Sequence, residues 1–279
     1  MTRRLDLEIV QLNRMTQHVV LFGERCSGTK YLQKIMETNF VCDFSNQPTH
    51  KHFFGHQDLR PYRNSLFVCV VRAPVPWLNS FYRNPWHLLL QNARPSPAFL
   101  RAPVRSYQQG RSSGGALQQT GNISAGEIME DREIGTQRPY RSVLALRNRK
   151  LRYMLDDLPL QAPRVIVVRY EDLLHSFDNV LLVLRASGLN PRQAGSPLNI
   201  TAKIGDGPRG KLFVSNVPAN AKAVRTDDAI TPAMVITHPD YDPDLEARLG
   251  YSVHTTAVGG LGIYIMNPVP SVATATYTA

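Results

Sequence analysis

Cysteine is scarce: Cys26, Cys42 and Cys69 are the only three in 279 residues. An odd number, at spacings that match no metal site, argues against a disulfide framework or a structural zinc cluster, and reduced thiols are the plain reading. Long apolar runs are missing as well. No stretch approaches the ~20 residues that a membrane-spanning helix needs, and residues 258–266 are short and interrupted by glycine. Arg3 and Arg4 near the start have no apolar core behind them, so no signal peptide is expected. The expectation is a soluble, cytoplasmic chain with no membrane span. Acidic residues are outnumbered, 22 Asp plus Glu against 32 Lys plus Arg, for a formal charge of +10. That excess suits an anionic ligand. The basic residues form no run, and neither zinc-finger spacing nor an aromatic RNA-binding signature occurs, so nucleic acid is not the expected partner.

What is present is organised around residues 18–40. His18-Val19-Val20-Leu21-Phe22 is short, apolar and rich in β-branched residues, which predicts a buried strand. Gly23 ends it. Glu24-Arg25-Cys26-Ser27-Gly28-Thr29-Lys30 is small, polar or basic, and Tyr31, Leu32, Ile35, Met36 and Phe40 then recur at helical spacing. A strand–loop–helix unit of this kind turns backbone N–H groups toward one point where the helix dipole is positive, which makes an anion cradle.

Further strands are predicted at 41–44, at Leu66-Phe67-Val68-Cys69-Val70-Val71 and at Val165-Ile166-Val167-Val168. The second is apolar throughout and therefore central. Pro74 and Pro76 suit the first turn of a helix whose apolar face is Trp77, Leu78, Phe81 and Tyr82, and Pro139 opens another running to about Leu158, with Arg141, Arg147, Arg149 and Arg152 off its apolar face. Gly188 is the expected C′ residue of a helix after the last strand. Residues 91–137, dominated by Gly, Ser, Gln and Arg, read as an insertion or mobile lid. Strands alternating with helices predict an α/β fold, a parallel β-sheet flanked by helices, as one domain over 1–253 with a loose C-terminal tail at 254–279. In such sheets ligands bind beyond the carboxyl ends of the strands, so residues 23–30, 50–56 and 72–80 should open onto one crevice.

The anion is not read as a nucleoside triphosphate. Gly23 and Gly28 have Walker spacing, but Thr29 follows the second glycine and Lys30 comes one residue late, about 100° around a helix. Arg72 also stands where NTPases place a magnesium-binding Asp.

Arg25-Cys26-Ser27-Gly28-Thr29 resembles the 5′-phosphosulfate loop of the sulfotransferase superfamily, and Arg72-Ala73-Pro74-Val75-Pro76-Trp77-Leu78-Asn79-Ser80 resembles its 3′-phosphate motif. Tyr170-Glu171-Asp172-Leu173 and Leu245-Glu246-Ala247-Arg248-Leu249-Gly250-Tyr251 are similar to further stretches of that superfamily, so the likeness spans roughly residues 15–253. The resemblance implies a P-loop NTPase-like three-layer architecture and transfer of a sulfuryl group from 3′-phosphoadenylyl sulfate (PAPS) to a hydroxyl or amine of a small-molecule or carbohydrate acceptor. It implies donor binding by Arg25, Cys26, Ser27, Gly28, Thr29 and Lys30 and by Arg72 and Ser80, with no metal. It also implies His52 as base with Lys51 beside it, His50 and His56 competing, and Arg209-Gly210-Lys211 as a late loop over the 3′-phosphate. Cys26 departs from the pattern, since most members carry Lys or Arg there, and Arg25 is the expected catalytic cation in its place, with Lys30 or Lys51 as substitutes. A nucleotide-binding homologue without transfer activity is the alternative that Cys26 motivates, and a small-molecule kinase is the more distant one.

Overall fold

The computed structural model describes residues 17–85, 87–88, 96–107, 126–192, 196–200, 230–254 and 264–266. Arg209-Gly210-Lys211 lies outside them. The strands are β1 (Gln17–Gly23), β2 (Phe40–Asp43), β3 (Leu66–Val71), β4 (Val165–Arg169), β5 (Asn190–Pro191) and β6 (Tyr264–Met266). They form one sheet in the order β5-β2-β1-β3-β4-β6. The pairs β1–β2, β1–β3 and β3–β4 are parallel, whereas the short outer strands β5 and β6 pair antiparallel. Every residue of β3 and β4 is buried, which is why Leu66–Val71 and residues 165–168 read as unbroken apolar runs.

The helices are α1 (Thr29–Asn39), α2 (Pro74–Arg83), α3 (Ser96–Arg101), α4 (Val143–Arg152), α5 (Leu158–Gln161), α6 (Tyr170–His175), α7 (Phe177–Ala186), α8 (Pro232–Ile236) and α9 (Pro243–Ala247). They cover the sheet on both faces. Leu32, Ile35 and Met36 of α1 and Val180 and Leu184 of α7 join Val19, Leu21, Val68 and Val70 in one core, while Leu151, Met154, Leu158, Leu245 and Leu249 join Val20, Phe22, Phe67 and Cys69 in the other. Each large apolar side chain so buried contributes roughly 1.5–3 kcal/mol. Two apolar layers on one sheet follow directly from alternation of side chains along the strands.

Several expectations need correction. The helix foreseen from Pro139 starts only at Val143, because Ser142 takes the N-cap and its hydroxyl accepts from the Ala145 amide at 3.0 Å; it then continues through a π turn, Tyr153–Asp157, into α5. Arg147 is not on its outer face but fully buried, as is Lys150. Of the described residues in segment 91–137, Val104 bridges to Tyr140, Tyr107 bridges to Glu127, and Asp131 is buried. Within 254–279, Tyr264–Met266 adds a strand beside β4. Gly188, at φ 97°, ends α7 as foreseen.

Sheet order places the site. The chain leaves β1 toward β2 on one side and returns to β3 on the other, so the loops after β1 and β3 diverge above the sheet and open a crevice at their carboxyl ends.

Candidate functional site

The loops after β1, β2, β3 and β4 meet around residues 24–28. The Gly23 amide donates to the Lys51 carbonyl at 3.1 Å, and the Arg72 guanidinium donates to the Cys26 carbonyl at 3.2 Å. Arg72 also lies over the Tyr170 ring at 4.8 Å, and that ring packs on Gly28 so closely that a Cβ there would come within 2.3 Å of it. Gly28 stands at φ 100°, a conformation glycine adopts at no steric cost, and is the N-cap of α1. It offers no capping side chain, and no acid occupies the first turn, so the positive end of α1 has no counter-charge of its own.

Inside the loop the chain turns sharply. The Ser27 amide closes on the Glu24 carbonyl at 3.2 Å, with Cys26 at φ 65°. That conformation is uncommon for a residue with a Cβ and costs on the order of 1 kcal/mol. The Cys26 thiol is offset by contacts to the carbonyls of Ser80 and Asn84, both at 3.7 Å, so the loop is laid against α2. Burial pushes this thiol's pKa up. The Ser27 hydroxyl, expected on the donor, instead points inward and donates to the Glu24 carbonyl at 2.6 Å. Thr29 is buried; Lys30 is exposed on α1.

Beneath the loop lies a lattice of buried charge. Arg25 approaches Asp131 at 2.8 Å and donates to the Ser106 hydroxyl at 2.7 Å, with its guanidinium 5.0 Å above the Phe81 ring. The second Asp131 oxygen holds Lys150 at 2.5 Å. Arg147 spans Glu246 at 2.5 Å and Glu24 at 3.1 Å and lies 5.0 Å over Trp77. Burial dominates at Glu24 and raises its pKa to about 7 despite the neighbouring Arg147 and Lys150. At Asp131 the flanking Arg25 and Lys150 overcome burial and hold the carboxyl below its ordinary value. Among the described residues, Nη2 of Arg25 and Nε of Arg72 are buried with no hydrogen-bond acceptor. Two guanidiniums beside one loop thus each retain an unspent donor.

The histidines separate clearly. His52 is held by its ring, whose Nδ1 lies 2.6 Å from the Gly23 carbonyl; a carbonyl only accepts, so Nδ1 carries the proton and Nε2 the lone pair. Burial keeps His52 well below the usual histidine range. His50 stands 5.0 Å from it ring to ring, and burial of the His50 ring, then the neighbouring His87 and Lys51, push its pKa down to about 4. Both are neutral at pH 7. His56 is elsewhere: its ring nitrogens meet the Arg132 carbonyl and the Gln137 amide at 3.1 and 3.0 Å. Lys51 is half-buried, and burial, then the charge of Lys30, lowers its pKa. Glu171 accepts from the Ala73 amide at 3.1 Å and the Tyr251 hydroxyl at 2.6 Å, while Arg169 pairs with Asp172.

Of the residues singled out from sequence, Arg25, Cys26, Gly28, Lys51, His52, Arg72 and Ser80 come together; His56 does not. Asp131, Lys150, Arg147 and His87 were missed. A signal for two of them was present, since Val143, Arg147, Lys150 and Met154 fall at i, i+4, i+7 and i+11, a single inward stripe. Compared with known proteins, the chain matches no family model, no curated protein and no solved structure.

Proposed function

We infer that this chain is a PAPS-dependent sulfotransferase that moves a sulfuryl group to a hydroxyl or amine of a small-molecule or carbohydrate acceptor, on a P-loop-like three-layer version of the α/β fold. The observation that carries the reading is the pair of unspent guanidinium donors, on Arg25 and Arg72, flanking a glycine-capped helix start. An anion with separated negative groups meets both, and PAPS carries a phosphosulfate at one end and a 3′-phosphate at the other.

PAPS supplies the sulfuryl group, and its departure leaves negative charge on a phosphate oxygen. In this assignment Arg25 and Lys51 are the nearest cations for that oxygen, while Arg72 and Ser80 grip the 3′-phosphate. His52 accepts the acceptor's proton on Nε2, the tautomer that its bond to Gly23 imposes. The bound anion raises the depressed histidine pKa, so donor binding improves the base. Localisation in the cytoplasm belongs to the same reading; among the described residues no helix is long and apolar enough to cross a membrane.

Thermal shift with 3′-phosphoadenosine 5′-phosphate against ADP tests the donor class. Selective stabilisation by the former is expected; equal stabilisation by both, or none, removes PAPS. One observation favours a second reading, a nucleotide-binding protein without transfer: Arg25, the substitute for the family's basic residue at position 26, is itself paired with Asp131. Donor bound yet never turned over across a broad acceptor panel would select it.

A further inference from the structure

His87 stands at the turn after α2 and belongs to none of the anion motifs. Its ring lies 5.3 Å from Phe53 and 6.2 Å from His50, so it borders the same imidazole group as His52. Its backbone is held at φ 68°, a left-handed conformation that a residue with a Cβ adopts rarely and that strained sites retain when the side chain has work to do. Its Nδ1 lies 3.2 Å from the Tyr107 carbonyl. The same logic that fixed His52 fixes His87: each ring spends its proton on a backbone carbonyl and keeps a lone pair on Nε2. Burial, with Arg25 behind the cluster, keeps both rings neutral.

A neutral imidazole in this tautomer accepts at Nε2 and cannot donate there. Two such groups bordering His50 therefore ask for two donors from whatever enters, and a molecule with one hydroxyl leaves an acceptor unmatched. Phe53, buried against His50 and His87, backs the two rings with apolar surface.

We propose that His87 is a specificity-determining residue on the acceptor side of the site, selecting molecules that carry two adjacent hydrogen-bond donors, vicinal diols or amino alcohols, with His52 meeting one donor and His87 the other. The assignment rests on the acceptor-side reading of His52 above.

The test is direct binding of catechol and phenol, which differ by one hydroxyl, followed through the imidazole C–H resonances of the full chain, with and without 3′-phosphoadenosine 5′-phosphate. Catechol should bind about tenfold more tightly, the scale of one additional neutral hydrogen bond, and should shift the His52 and His87 signals together. His87→Asn should abolish that preference with an unchanged melting temperature and unchanged nucleotide affinity, because Asn tolerates the left-handed backbone but is too short to place an acceptor at the Nε2 position. Equal binding of the two phenols, binding of neither, or a preference that survives His87→Asn overturns the proposal. A falling melting temperature in His87→Asn with the preference retained identifies a structural residue. Failure of the nucleotide to bind, with the catechol preference intact, overturns the donor assignment and leaves the acceptor face standing.

Discussion

Asp131 holds Arg25 with one carboxylate oxygen, at 2.8 Å, and Lys150 with the other, at 2.5 Å, all three side chains being buried. This residue comes from the segment between α3 and α4, yet it fixes the cation of the loop after β1. Lys150 extends the link, donating to the His52 carbonyl and standing 5.2 Å over Phe54. The candidate base and the loop cation therefore share one anchor. Asp131→Ala would leave two buried cations unpaired and should cost about 3–5 kcal/mol, read as a shifted midpoint in denaturant unfolding. A loss below about 1 kcal/mol would show that the pair is not buried in solution.

Arg72→Ala removes the guanidinium that crosses Tyr170 and reaches Cys26. Charge-assisted bonds to an anion contribute about 1.5–3 kcal/mol, so affinity for 3′-phosphoadenosine 5′-phosphate should fall roughly 10–100-fold in calorimetric titration. Circular dichroism and melting temperature should change little, since Arg72 is only half-buried. Unchanged affinity contradicts its place on the 3′-phosphate.

Gly28→Ala should destabilise the protein, because its Cβ would lie 2.3 Å from the Tyr170 ring and its φ is 100°. Two causes can be separated by a double-mutant cycle. Tyr170→Ala in the same background removes the clash but not the backbone cost, so part of the loss, about 1 kcal/mol, should persist. Full recovery would mean that the left-handed conformation carries no cost.

All three thiols should resist iodoacetamide at pH 7.5 in the folded protein. Burial raises the pKa of Cys26 and Cys69 and pushes Cys42 up to about 11, which leaves little thiolate. Mass spectrometry should show labelling only after denaturation. Rapid modification of Cys26 alone would place its thiol in the crevice and not against α2.

Stability against pH should reflect two opposed titrations. Glu24, raised from 4.5 to about 7, holds its proton in the folded state where the unfolded chain has lost it, so its contribution is present below about 4.5 and is lost as pH rises through 7. His50, lowered from 6.5 to about 4, works the other way: the unfolded chain binds the proton first, so stability rises from about pH 4 to 6.5. His52 and His87 share that direction. Glu24→Gln should therefore steepen the rise with pH across 4.5–6.5, measured by urea midpoints, while His50→Ala should flatten or reverse it. Parallel profiles for wild type and Glu24→Gln would show that Glu24 has an ordinary carboxylate pKa.

The sequence by itself determined the parallel core, because Leu66–Val71 and Val165–Arg169 are apolar at every or nearly every position and only a strand covered on both faces tolerates that. It determined the loop after β1 too, since Gly23, Gly28 and the helical spacing of Leu32, Ile35 and Met36 are local signals. What it left open was where long-range partners lie. Arg147 read as a charge off the apolar face and Lys150 drew no role, because their carboxylates, Glu24, Glu246 and Asp131, stand far away in the chain; helical spacing can set both on one inward stripe but cannot name the counter-ions that make their burial tolerable. Asp131 drew no notice for the same reason: it is one acid in a polar stretch until Arg25 and Lys150 close on it. The separation of His52 from His56 was likewise tertiary: the ring of His52 meets the Gly23 carbonyl beside the loop, whereas that of His56 meets the Arg132 carbonyl and the Gln137 amide. In the loop that organises the chain, sequence marked Cys26 as the missing cation, and only the packed structure showed a thiol turned against Ser80 and Asn84 with Arg25 pinned below by Asp131.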